Sequence, residues 1–199
     1  MSDVSRRVPA PASGAILPRL WNAITLRRAF YDAVAAEPRA TSAAIGIVSL
    51  VALGREAETI WSIAQVESLW GLAALIIVLV ALAGWLIYGA IAFALARLIA
   101  PASADFKRML RCLAFAEAVT LLRVPASLLL QGFALPDDSL FALPLYLVLH
   151  LGLLAWDLAA IVVATRAATS AGGWRLWAIA LPAFLAQQAV LAVEQAVAY

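Results

Sequence analysis

Between Trp70 and Ile99 the chain runs for 30 residues with a single charged side chain, Arg97. As an α-helix such a run reaches roughly 45 Å, well beyond the roughly 30 Å of hydrocarbon in a bilayer. A helix apolar around its whole circumference belongs in lipid or deep inside a large core. The remaining sequence decides for lipid: 65% of the 199 residues are hydrophobic and 13% charged, with mean hydropathy +0.97. Soluble domains carry about 25% charged residues.

Further apolar runs occupy residues 112–134, 140–165 and 174–198, punctuated by turn signals at Pro101, from Gly132 to Asp138, and from Ser170 to Gly173. A shorter run, Ala40 to Leu53, follows Pro38 and stops before Arg55, Glu56 and Glu58. Its apolar part reaches only roughly 21 Å, short of a full crossing. Charge placement decides its status. If this first segment, about 40–58, spans, one side receives Arg6, Arg7, Arg19, Arg27, Arg28, Arg39, Arg97, Lys107, Arg108, Arg111, Arg166 and Arg175, which is 12 of the 14 basic residues. If it does not, the division is seven against six. The positive-inside rule then predicts an all-α bundle of five transmembrane helices, with the N-terminus cytoplasmic and the C-terminus outside. Glu56, Glu58, Glu67, Asp137 and Asp138 all fall on the outer side in this arrangement.

Residues 1–39 form a basic cytoplasmic segment, not a cleavable signal peptide: no apolar run follows Arg6 and Arg7, and Pro9, Pro11 and Pro18 interrupt it. Leu17, Leu20, Trp21, Ile24, Tyr31 and Val34 recur at helical spacing beside Arg27 and Arg28. They read either as an amphipathic helix on the cytoplasmic membrane surface or as a mostly disordered leader with a short helix before Pro38.

Ionisable groups at membrane depth are functional candidates. Glu117, Arg123, His150 and Asp157 qualify, with Glu194 near the outer end of the last helix. Helical rise puts Glu117 and Asp157 about 10–12 Å from the cytoplasmic ends, and Arg123 and His150 about 20 Å. One reading is a proton or ion path in which Glu117 and Asp157 share a proton or bind a cation and His150 relays onward. The other is structural: Asp157 or Glu117 pairs with Arg111 or Arg166, and Arg123 reaches a phosphate or carbonyl at the outer face.

Catalytic and cofactor motifs are absent. There is no phosphate-binding Gly-rich loop, no His-Glu-x-x-His and no nucleophile elbow, and the single cysteine, Cys112, and single histidine make no zinc site of the usual kind. The basic residues form no stripe for nucleic acid. Gly84 and Gly89, with Ala90, Ala92, Ala94 and Ala96, predict close helix contact. Trp21, Trp61, Trp70, Trp174 and Trp177 fit interfacial belts, whereas Trp85 and Trp156 read as core packing.

Three stretches carry a resemblance. Tyr31-Asp-Ala-Val-Ala-Ala-Glu-Pro-Arg39 leads into the first span, Asp105-Phe-Lys-Arg-Met-Leu-Arg-Cys-Leu-Ala-Phe-Ala116 into the third, and Trp156-Asp-Leu-Ala-Ala-Ile-Val-Val-Ala-Thr-Arg-Ala167 closes the fourth ahead of Thr169 to Trp177. Over about residues 30–199 this pattern resembles the bacterial branch of the Ypt-interacting protein (YIP) domain family, with Glu117 and Asp157 as departures from its usual residues. The resemblance implies a five-span YIP-like domain over residues 40–199, set in the bacterial inner membrane.

The sequence therefore predicts a non-enzymatic membrane organiser or partner-binding protein without cofactor or metal. Anionic lipid would meet Arg27, Arg28, Lys107, Arg108, Arg111 and Arg166, and the chain would associate with itself or another membrane protein. The alternative is a small transporter or lipid-translocating protein using Glu117 and Asp157.

Overall fold

The computed structural model describes residues 16–66, 69–132 and 142–198, and all regular structure among them is helical. The helices are α1 (Ile16–Ile24), α2 (Arg28–Ala36), α3 (Ala40–Arg55), α4 (Ala57–Val66), α5 (Trp70–Ile99), α6 (Phe106–Glu117), α7 (Arg123–Gly132), α8 (Ala142–Thr169) and α9 (Trp174–Ala198). Helices α5, α8 and α9 are long and apolar enough to cross a membrane, and α3 with α4 makes a fourth candidate, bent by 61° at Glu56. Arg6, Arg7, Glu67, Asp137, Asp138 and the Glu194 side chain lie outside the described residues.

Two expected spans are broken. The first is straight only to Arg55, where α4 turns aside. The third, expected over 112–134, begins earlier at Phe106, passes into a 3-10 segment at Ala118–Leu122 and resumes as α7. Pro125 supplies the reason. In an unbroken helix its ring would collide with the carbonyl of Leu121, and it has no N–H to give, whereas in the first turn of a new helix neither defect matters. Thr120 steadies the break by donating from Oγ1 to the Glu117 carbonyl at 2.8 Å.

Helix α6 is the centre of the bundle. Every residue from Met109 to Thr120 is buried, with α2, α3, α5 and α8 packed around it. Its start is fixed by Asp105, whose carboxylate accepts from the Arg108 backbone N–H at 2.7 Å, a standard N-cap. On α5 one small-residue face is used, with Gly84, Gly89, Ala92 and Ala96 buried and Ala90 and Ala94 exposed. Trp85, buried as expected, donates from Nε1 to the Leu110 carbonyl at 3.2 Å. The buried part of α5 begins only at Gly84, and that of α8 at Asp157, so the tight core lies toward one end of both helices. The turns at that end, 99–103 and 169–175, face each other across an open groove of about 670 Å³. Ser170 (φ 54°) and Gly173 (φ 60°) reverse the chain there in left-handed conformations.

The N-terminal helix is two helices, parted at Leu26, which sits at φ 53°. Their apolar sides, Leu20, Ala23, Phe30, Tyr31 and Val34, are buried in the bundle, α2 against α6 and α8. The rings of Phe30 and Phe115 meet edge to face at 5.1 Å, and Tyr31 donates from its hydroxyl to the Ala23 carbonyl at 3.2 Å. Burial raises the Tyr31 phenol above its ordinary range and keeps it a donor. Trp156, expected in the core, is 43% exposed but donates from Nε1 to the Ile24 carbonyl at 2.9 Å, pinning α1 to the flank of α8. Ile16, Leu17 and Trp21 on the other side of α1 stay exposed.

A Cβ placed on Gly89 would lie 2.4 Å from Cδ2 of Leu110, so α5 and α6 touch there because glycine leaves the space. Gly89→Leu is expected to destabilise the detergent-solubilised protein by about 1–3 kcal/mol through overpacking, and Leu110→Ala in the same chain to restore part of the loss, read as thermal unfolding midpoints.

Candidate functional site

Four charged side chains gather where the two broken helices meet. Arg55 ends α3, Glu117 ends α6, Arg123 opens α7, and Asp157 lies on α8 where its buried stretch begins. The two breaks touch: α3 packs on the 3-10 segment, with the Cβ direction of Gly54 only 3.0 Å from Cδ2 of Leu121. Discontinuous helices inside a membrane protein survive where the freed backbone is covered by protein or lines a polar cavity. This break is covered by protein, with Ala118, Val119 and Thr120 buried.

Glu117 is 6% exposed. Its Oε1 accepts from the Tyr88 hydroxyl at 2.6 Å and from Gln187 Nε2 at 2.9 Å, so α5 and α9 both reach into the end of α6. Beside it is a cavity of about 20 Å³, walled by Arg55, Trp85, Tyr88, Glu117, Gln187 and Leu191 among others. That volume accommodates one water molecule. Arg55 donates from Nε to Glu56 at 3.2 Å, so the guanidinium on the cavity wall is also tied to the bend.

Asp157 is in a different setting. Arg123 Nη2 binds its Oδ2 at 2.5 Å, with the Asp157 side chain 2% exposed and that of Arg123 23% exposed. Arg123 thus reaches inward to a carboxylate instead of outward to a phosphate or carbonyl, and the predicted separation into two polar levels collapses into one. Neither Arg111 nor Arg166 pairs with either acid among the described contacts. His150 does not join the group as a relay: it is exposed on α8, its ring stacked on Tyr146 at 5.8 Å.

The cationic residues expected at the lipid surface divide as well. Arg27, Arg28, Lys107 and Arg166 are exposed and Arg108 is half-buried. Arg28 lies 3.7 Å from Asp32. Arg111 is no surface residue: it is 7% exposed and donates from Nη2 to the Ala35 carbonyl at 2.8 Å, holding the end of α2 against α6. The α2 carbonyl that α6 must satisfy draws this arginine inward, which residue type and spacing do not reveal. No protein-family model, curated protein or solved structure matches the chain.

Sequence reasoning missed Tyr88, Gln187 and Arg55 as parts of the site. Gln187 was the signal to follow, a carboxamide in the middle of the apolar run of α9. In lipid such a group faces a partner helix.

The chemistry of the two acids differs accordingly. Glu117 rests on neutral donors and borders a space, whereas Asp157 is closed by a single charged partner. Arg123→Leu, which strands Asp157 buried and unpaired, is expected to cost about 3–5 kcal/mol, and the Arg123→Leu, Asp157→Leu double variant to recover most of it. Guanidinium or thermal unfolding of the three proteins in one detergent measures this.

Proposed function

We propose that the chain is a five-span, non-enzymatic bundle of the YIP-domain kind in the bacterial inner membrane, N-terminus cytoplasmic and C-terminus outside. It acts by binding: a second copy or another membrane protein through its helix faces, and anionic lipid through its basic end. The observation that supports this is the composition of one end of the bundle. There the turns after α5 and α8 come together, and Arg97, Lys107, Arg166 and Arg175 stand exposed with Trp174 and Trp177. Cations and tryptophans at a helix-turn boundary are the groups that meet lipid headgroups, each cation adding about 1 kcal/mol near an anionic surface. The exposed Arg27 and Arg28 lie on the flank at the α1–α2 turn that Trp156 holds, roughly 20 Å along α8 from that end. Replacing Arg97, Lys107, Arg166 and Arg175 by glutamine is expected to reduce selectivity for phosphatidylglycerol over phosphatidylcholine in nanodiscs by at least about tenfold. Unchanged lipid selectivity would end this part of the proposal.

A second reading, a small carrier, draws on the two helix breaks that face each other beside Glu117, since carriers build their sites at discontinuous helices near mid-membrane. Liposomes containing the protein are then expected to show proton flux above empty vesicles, with Glu117→Gln abolishing it; wild-type flux equal to empty vesicles would remove the reading.

A further inference from the structure

The cavity beside Glu117 has a direction. Helix α9 starts at the basic end of the bundle and α5 finishes there, while α3 runs alongside α6, with Ala35 before it at Arg111 and Gly54 near its end at Leu121. Along the walls, Tyr88 of α5 and Gln187 of α9 lie nearer that end, whereas Ala81, Leu191 and Arg55 lie farther from it. From Ala81 to Tyr88 the helix rises roughly 10 Å. The cavity is therefore a short shaft along the bundle axis, with Glu117, Tyr88 and Gln187 toward its floor and Arg55 toward the opposite face.

What such a shaft can hold follows from its size and charge. About 20 Å³ admits one water and excludes a hydrated metal ion. A water held there can hand a proton to the carboxylate. Both protein donors to Glu117 land on Oε1. Oε2 has no protein donor among the described residues and is the oxygen left to take a proton. We infer that Glu117 is a one-sided proton-binding site, loaded by water from the Arg55 end of the shaft.

In the binding step an O–H bond forms at Oε2, hydronium gives up its proton and becomes water, and the Tyr88 and Gln187 bonds to Oε1 persist. The charged and titratable groups around Glu117 are Tyr88 from α5, Arg55 with Glu56 from the α3–α4 bend, and Asp157 from α8, which feels the Glu117 charge and is itself held by Arg123 from α7. From its own helix comes Arg111, bound to α2 with its buried Tyr31 and exposed Asp32, and from α8 also His150, which acts on Asp157. Gln187, the α9 contribution, is neutral. Loading Glu117 relieves its repulsion with Asp157 and leaves the Arg123 pair intact.

This inference names the ligand of the carrier reading and rests on the same glutamate, but it is read by binding and not by flux. The full-length protein in nanodiscs is followed by infrared difference spectroscopy from about pH 9 to about pH 4, the range that carboxyl groups in proteins cover. The expected result is a protonated-carboxyl C=O band that Glu117→Gln removes and that Tyr88→Phe moves in frequency, because one donor to the same carboxyl is gone. After a switch to D₂O, Ala81→Trp, which plugs the far part of the shaft, is expected to slow deuteration of that band by at least about tenfold. Leu191→Phe serves as a second plug, and thermal melts establish that each variant is folded. A band unchanged in Glu117→Gln, no titrating band in the wild type, or plugged variants that deuterate at the wild-type rate would overturn the inference. A band with all the expected properties in a protein without proton flux would instead sink the carrier reading and leave the site standing.

Discussion

Everything in this bundle depends on one short helix being surrounded. Helix α6 has a polar face and ends in a glutamate, and the chain after it departs from α-helical geometry, so alone in lipid it would be untenable. It exists because its neighbours enclose it, and α2, α5 and α9 each supply something specific. Gly89 of α5 lets Leu110 approach, Ala35 of α2 gives a carbonyl to Arg111, and Tyr88 and Gln187 give two donors to Glu117. The carboxylate that ends α6 and the Nη2 group of Arg111 are thus held by different partners, whereas Arg111 Nε is buried without one among the described residues. Outside this shell α5 and α8 continue as lipid-facing helices with Leu75, Leu79, Val148 and Leu151 exposed. Such surfaces need only be apolar, which is why the sequence there carries so little detail.

That division explains what was legible in the sequence. The long runs of α5, α8 and α9 follow from hydrophobicity alone, since length and polarity are the only demands lipid makes. The candidate acids were legible too, because a charge in an apolar run is conspicuous. Their partners were not. Helical rise placed Arg123 about two turns beyond Asp157, but a side chain that long reaches back across such an offset. His150 stood out by rarity but is exposed, stacked on Tyr146, near enough to Asp157 to interact electrostatically without a hydrogen bond to either acid among the described residues, whereas Gln187, being uncharged, went unread although it binds Glu117 directly. The break at Ala118–Leu122 was readable in principle from Pro125, whose effect falls four residues upstream of the proline.

The N-terminal helices show the same limit from the other side. Their apolar spacing promised an amphipathic surface, and amphipathicity cannot say whether the partner is lipid or protein. In the structure one side answers to protein, with Leu20, Ala23, Tyr31 and Val34 turned into the bundle, and Ile16, Leu17 and Trp21 are left exposed. The deciding contacts are polar: Trp156 to the Ile24 carbonyl and Arg111 to the Ala35 carbonyl. Each satisfies a backbone oxygen near a helix end, where carbonyls lack intrahelical partners.

The shortness of α3 ties these threads together. A helix of 16 residues reaches roughly 24 Å, so α3 stops short of a full crossing and leaves Arg55 inside the bundle. A longer first span would have carried that arginine out to water. Because it stops short, its end meets the place where Pro125 has already broken the helix after α6, and the ends of α3 and α6 put Arg55 and Glu117 on the wall of one mostly apolar cavity. Neither interruption alone would make a site. A broken α6 against a continuous neighbour would bury Glu117 in apolar contacts, and a short α3 against an unbroken α6 would leave Arg55 facing the side of a helix. The marginal length of the first span, which looked like a weakness in the topology, is what places an ionisable cavity in the middle of the fold.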